Sequence, residues 1–327
     1  MKRALLSLSL LAAVTTAGAC EKADPFAAKG SGALTADERA LLGDLPGGNT
    51  ALFGGNYMKF QKHLADSPMG AVLASLNQQS PGLSAWTDCF IALPNVTMVG
   101  GLVVADRTAR IRFVMHGVDL PAIQTCAGKA SFAATVDADG KFIALEMPSA
   151  IGVIKTGYLK LPDGALLTAQ SLPIGGRDIT PVDRAMLEAE AATLATGSAL
   201  LADKALQAAI PSLDRAKAIW FVGTGAGTPA ADKLGLVKGT MDISAGLAFD
   251  VIAQVLDKHL IDQMVTGVPE VKKQASAMGP EVGDVVRALT FDHAGDQVHF
   301  ALAIDNVKLK ALMAKAGPMM GMGMGTR

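Results

Sequence analysis

The densest cluster of reactive side chains in this chain is Asp292-His293 with Asp296 and His299. Imidazole nitrogens and carboxylate oxygens ligate divalent cations, so His293 and His299 are candidate metal ligands. They could share an ion only if a hairpin folded them onto one face; such residues around a turn are more often solvated. A second candidate lies at the C-terminus, where Met320, Met322 and Met324 offer soft thioethers suited to Cu(I). The same spacing also fits a low-complexity terminus. Gly223-Thr224-Gly225-Ala226-Gly227 follows an expected strand and invites a nucleotide-binding reading. Thr228 stands where the third glycine belongs, so a hairpin loop is the better reading. Asp137-Ala138-Asp139-Gly140 opens like a calcium loop, but its glycine comes too early and Phe142 and Ile143 occupy later ligand positions. A hairpin turn fits it better. His63, His116 and His259 stand isolated and read as surface or helix-face residues.

An antiparallel frame would have to position these side chains. Thr35-Ala36-Asp37-Glu38 has capping-box spacing and predicts a helix to about Leu42. A turn-and-strand pattern then occurs twice, as Leu45-Pro46-Gly47-Gly48 before Ala51-Leu52-Phe53 and as Leu161-Pro162-Asp163-Gly164 before Ala165-Leu166-Leu167. Helical stretches follow each, over 57–65 and 68–77 in one case and 181–194 and 198–210 in the other, with Thr180 as an expected cap. Each set leads to an expected strand, 88–93 and 218–222, and then to a hairpin, 97–115 and 234–252. Helices opened by Asp119 and Asp257 come next, the second extended by 269–278. Closing hairpins over 130–147 and 285–304 turn at Asp139-Gly140 and Gly295-Asp296.

The pattern predicts an α+β protein of two quasi-repeated units, each an antiparallel sheet with helices packed on one face. The units are expected at 45–160 and 161–316, with a disordered glycine- and methionine-rich tail at 317–327. Whether the units extend one sheet or pack face to face is left open.

The N-terminus carries the strongest motif. Lys2 and Arg3 precede an apolar run from Ala4 to Val14, and Thr15 to Ala19 are small residues ending at Cys20. This is the layout of a secretory signal, too short to span a bilayer, which takes roughly 20 apolar residues. Ala17-Gly18-Ala19-Cys20 resembles a bacterial lipoprotein lipobox, with Ala17 where leucine is commonest. The resemblance implies removal of residues 1–19, acylation of Cys20 and anchoring to a membrane by several chains. Glu21, where aspartate would retain a lipoprotein at the inner membrane, implies the outer membrane. Residues 20–44 then read as the lipidated cysteine, a flexible tether to about Ala33 and the short helix. Beyond these residues the body resembles only uncharacterised envelope lipoproteins. Cys89 and Cys126 remain as a pair in an oxidising compartment, where a disulfide is expected to pin the Asp119 helix to the strand carrying Cys89.

Composition narrows the function. Half of the 327 residues are hydrophobic, aromatics make up 5%, and Lys+Arg 29 against Asp+Glu 30 leaves a net charge of −1. No basic stripe favours nucleic acid, and few aromatics weaken a sugar-binding cleft. Gly-x-Ser-x-Gly, His-Glu-x-x-His, P-loop and Ser-x-x-Lys motifs are all missing. The expectation is therefore a non-catalytic envelope lipoprotein with a binding or structural role and no cofactor. An envelope protein is the partner expected under that reading, and a carrier or sensor of a hydrophobic or lipid ligand is the next reading. A hydrolase with scattered groups is the third.

Overall fold

The computed structural model describes residues 26, 30–55, 62–64, 67–68, 70, 81–105, 108–149, 152–173, 182–226, 231–277 and 279–312. Cys20, the signal, most of the tether, the stretches expected at 57–65 and 68–77 apart from a few positions, and the methionine tail with Met320, Met322 and Met324 lie outside these residues.

The architecture is α+β and is built on an antiparallel sheet of twelve strands, β11-β12-β10-β9-β8-β1-β2-β3-β7-β6-β5-β4. The strands are β1 (Ala51–Gly55), β2 (Thr97–Ala105), β3 (Thr108–His116), β4 (Ala133–Val136), β5 (Phe142–Ser149), β6 (Gly152–Lys160), β7 (Leu166–Pro173), β8 (Ile219–Thr224), β9 (Leu234–Asp242), β10 (Gly246–Val255), β11 (Thr290–Ala294) and β12 (Gln297–Asp305). The two halves thus form one continuous sheet, meeting where β1 pairs with β8 through Leu52↔Val222 and Phe53↔Phe221. The boundary expected at 160/161 falls inside it, since β7 is hydrogen-bonded to both β3 and β6. The recurring Leu-Pro turn leads into β1 at the middle of the sheet and into β7 within one half, so the strand order does not put these two strands in equivalent places.

Helices lie on both faces of the sheet, which corrects the one-faced expectation. Neighbouring strand residues point to opposite faces, and β5 shows the consequence. Phe142 packs with Val182 and Leu187 of the segment containing α4 (Arg184–Ala192), while Ile143 packs with Ile123 and Phe132. The first face is covered by α1 (Ala36–Asp44), α4, α5 (Leu194–Gly197), α6 (Ala199–Ala202) and α7 (Lys204–Ala209), joined by Leu42, Leu52, Leu167 and Val222 in one core. The second face carries α2 (Pro81–Ile91) and α3 (Leu120–Lys129) at one end and α8 (Lys258–Ser276) at the other. Helix α9 (Pro280–Ala288) packs against α8 and β12 near the sheet edge.

Residues 88–93 are expected as a strand, yet Asp88 to Ile91 end helix α2. The apolar spacing there is helical: Cys89 and Phe90 follow Trp86 by three and four residues and so lie on its face. The Trp86 ring lies tilted, 5.8 Å from Phe90 and 5.8 Å from Phe132. Gly82 lets this helix approach, since a Cβ there would lie 2.6 Å from the Ala130 carbonyl oxygen. The capping expectations fare well at α1, where Glu38 N–H donates to Thr35 Oγ1 and Thr35 N–H to Glu38 Oε2, and at α3, where Asp119 accepts from Ala122 N–H at 2.9 Å. Helix α4 is capped by Asp183, which accepts from Met186 N–H at 2.8 Å; Thr180 lies outside the described residues. The expected helix over 198–210 breaks at Asp203, whose backbone leaves the helical region.

Candidate functional site

Cys89 and Cys126 are joined, with Cα atoms 5.4 Å apart. The bond ties α2 to α3 on the second face. Since Cys89 is helical, the staple runs from helix to helix and not from helix to strand, and it buttresses the Trp86–Phe132 cluster.

His293 and His299 do not form a joint metal site. His299 pairs with Asp292 across β11–β12, while His293 pairs with Val298, so the two imidazoles face opposite sides. His299 is buried on the first face, with Nε2 3.0 Å from Asp250 Oδ1. Among the described residues its buried Nδ1 meets no hydrogen-bond partner and lies 3.9 Å from Asp292 Oδ2. The Phe26 ring meets it edge-on at 6.1 Å. His293 lies on the second face beside Phe291. The Asp137–Gly140 stretch is a hairpin turn, held by a two-pronged contact of Arg184 with Asp139 at 2.8 and 2.7 Å.

A groove of about 420 Å³ opens on the first face over β9, β10 and β12, within the size range of small-ligand sites. Ile252, Ala301, Ala303 and Thr240 make its floor, and Leu213 and Ala288 lie at its walls. Charge is distributed around it: Lys238 Nζ donates to Ser212 Oγ at 2.9 Å, and Lys217 lies 3.6 Å from Asp242. The groove therefore combines a small-residue apolar floor with amines and carboxylates, which differs from a closed lipid cavity.

Beside the groove the N-terminal segment is fastened down. Arg215, 5% exposed, pairs with Glu38 at 2.6 Å and donates to the carbonyls of Gly32 and Ala33. Ser31 N–H donates to Leu213 O at 2.8 Å. The last residues of the expected flexible tether are thus pinned from Gly30 onward, because a buried guanidinium needs acceptors and these carbonyls supply them.

The sequence gives no hint of a third cluster, because its members are 72 and 47 positions apart. His116 Nε2, at the end of β3, lies 2.9 Å from Asp44 Oδ2, at the end of α1. Asp163, in the turn between β6 and β7, hydrogen-bonds Asp44, and the three groups offer ligand atoms within 4.8 Å of one another. Burial, and then the hydrogen bond with Asp163, push the Asp44 carboxyl up to about 6 against the pull of His116. Burial also raises Asp163, but the hydrogen bonds from Asp44 and the Ala165 N–H outweigh it and hold this carboxyl below its ordinary range. His116, expected to stand isolated, is thus a member of this cluster.

Among the described residues no helix is long and apolar enough to cross a membrane. No protein-family model matches the sequence, and no curated protein matches it. Among solved structures, crystal form I of TP0453 aligns over 84% of this chain and 96% of its own, at 9% identity and a TM-score of 0.43. Crystal form III of TP0453 aligns over 84% and 98%, at 7% identity and a TM-score of 0.46. A likeness of this extent bears on neither activity nor ligand.

Proposed function

We propose that this chain is a lipid-anchored protein of the bacterial envelope, at the outer membrane, with a non-catalytic binding role centred on the first-face groove. The observation that carries the reading is the docking of the N-terminal segment beside that groove, through Arg215 to Gly32 and Ala33. Cys20 is ten residues before Gly30. An extended chain of that length reaches at most about 35 Å. An acylated Cys20 would therefore hold the groove within a protein's diameter of the bilayer. Arginine and its backbone acceptors make that tie rigid up to Gly30, which gives the anchor a positional use beyond retention.

The mixed lining favours an occupant with both apolar and charged groups, such as a segment of an envelope protein. The carrier reading keeps one specific support, the small-residue floor of Ala301 and Ala303 next to Ile252, which leaves room for an alkyl chain.

Both parts are tested by expressing the full-length chain and Cys20→Ala in a bacterium and separating membranes from soluble periplasm. The full-length chain is expected in outer-membrane fractions and Cys20→Ala in the soluble fraction. Wild-type protein in the soluble fraction would overturn the anchor. Native mass spectrometry of the soluble variant reads the groove. Bound lipid mass would move the reading to the carrier, and a clean apo mass together with partner capture lost in Ala301→Phe would support the partner surface.

A further inference from the structure

We propose that Asp44, His116 and Asp163 form a binding site for a divalent transition-metal ion, with Zn²⁺ the best match to its ligands. The site is independent of the groove and of the lipid anchor. Three separate pieces of backbone bring it together: the last residue of α1, the last residue of β3, and the turn joining β6 to β7.

Each piece is held by the fold. Leu45, directly after Asp44, is fully buried, and Leu161, two residues before Asp163, is buried in the same core. The β3–β7 ladder runs to Met115↔Leu166, one residue short of His116. The turn itself is fixed, with Gly164 at φ +98° and Ala165 N–H donating to Asp163 Oδ1 at 3.1 Å. The donors are therefore positioned by buried neighbours and a constrained turn, which lowers the ordering cost of binding an ion.

The donor chemistry narrows the ion. One imidazole nitrogen and two carboxylates match the three-protein-ligand zinc pattern, with water in the fourth position. Calcium takes six to eight oxygens, and an imidazole is the wrong donor for it. With metal–ligand bonds of about 2.0–2.2 Å, tetrahedral donors stand about 3.4 Å apart. The 2.9 Å Asp44–His116 contact would open slightly, and every pair already lies within 4.8 Å. Such shifts are within side-chain rotation. A cation would also neutralise two carboxylates that the fold otherwise forces to face each other. Asp163 is exposed, so the ion has an entry side.

The test is calorimetric titration of ZnCl₂ into the EDTA-treated, full-length purified chain, beside His116→Gln, Asp163→Asn and the control His293→Gln. One ion per chain is expected, with affinity weakened about a hundredfold or more in His116→Gln and Asp163→Asn, since even outer-shell partners are worth about ten- to a hundredfold. His293→Gln should bind as the parent does, and CaCl₂ should give no saturable heat. Thermal unfolding of each variant in EDTA reports folding separately, and Asp163→Asn, at an exposed turn, keeps the test usable if His116→Gln unfolds. Zinc affinity unchanged in both His116→Gln and Asp163→Asn, or no saturable binding by the parent, would overturn the site and leave the three groups as a proton-sharing cluster only.

Discussion

Arg112 Nη1 lies 2.7 Å from Glu190 Oε2, linking β3 in the sheet to α4 above it. Arg112 is 4% exposed. Its Nη2 also donates to Gly47 O at 3.0 Å and to Asn49 Oδ1 at 2.6 Å. Asn49 in turn reaches Asp203, which accepts from the N–H groups of Gly48 and Asn49 as well. This chain of contacts holds the loop before β1 against α4 and the α6–α7 break.

Glu190→Ala should destabilise the protein by about 3 kcal/mol, because it strands a buried guanidinium without its counter-charge. Arg112→Met combined with Glu190→Leu should cost less than Glu190→Ala alone, since a hydrophobic pair removes both charges together. Urea unfolding of the three proteins reads the difference. A Glu190→Ala midpoint equal to the parent's would show that Glu190 does not compensate Arg112.

The Cys89–Cys126 bond closes a loop of 37 residues in sequence. Loop-closure entropy predicts a loss of roughly 4 kcal/mol when it is removed, the exact share depending on the unfolded state. Cys126→Ser should therefore lower the urea midpoint, and adding reductant should lower the parent's midpoint to match while leaving the variant unchanged. A parent insensitive to reductant would contradict a structural role for the bond.

Local chemistry was readable where it depends on neighbours in sequence. The Thr35–Glu38 box, the Asp119 cap and the Asp139-Gly140 turn each involve residues within a few positions, and each forms. What resisted reading depends on neighbours in space. Residues 88–91 carry apolar side chains at both strand and helix spacing, and only packing on Phe132 and Ala130 selects the helix. Strand β6, with Val153, Tyr158 and Leu159 interrupted by glycine and lysine, lacks the clean alternation that marks a strand in sequence. His116 looked isolated because its partners Asp44 and Asp163 come from other elements. The opposite orientation of His293 and His299 follows from strand register, which no residue type announces.

Asp139 provides a pH-dependent test of the turn. The hydrogen bonds from Arg184, and then from the Lys141 N–H, hold its carboxyl down at about 2. A folded value below the ordinary one near 4 means that the ionised form is favoured in the folded state. Its contribution to stability is therefore present above pH about 4 and is lost as pH falls from 4 towards 2. Carboxyl-detected NMR titration should place Asp139 near 2 in the parent and distinctly higher in Arg184→Gln, where only the Lys141 contacts still lower it. A parent value near 4 would show that the Arg184 contact does not persist in solution.

Arg215 should control how firmly the N-terminal segment is held beside the groove. It supplies donors to Gly32 and Ala33 and pairs with Glu38, all from a position with little access to water. Hydrogen bonds from a charged group contribute about 1.5–3 kcal/mol each, and several are lost together in Arg215→Ala. Opening of the segment should become easier by at least about 2 kcal/mol, which accelerates amide exchange there about thirtyfold. The Ser31 and Gly32 amides, bonded to Leu213 O and Pro211 O, are the reporters. Exchange at Val222 and Leu167, deep in the first-face core, should change much less. Equal acceleration at all four amides would mean that Arg215 stabilises the whole fold, and unchanged exchange at Ser31 would mean that the segment is held by something other than this guanidinium.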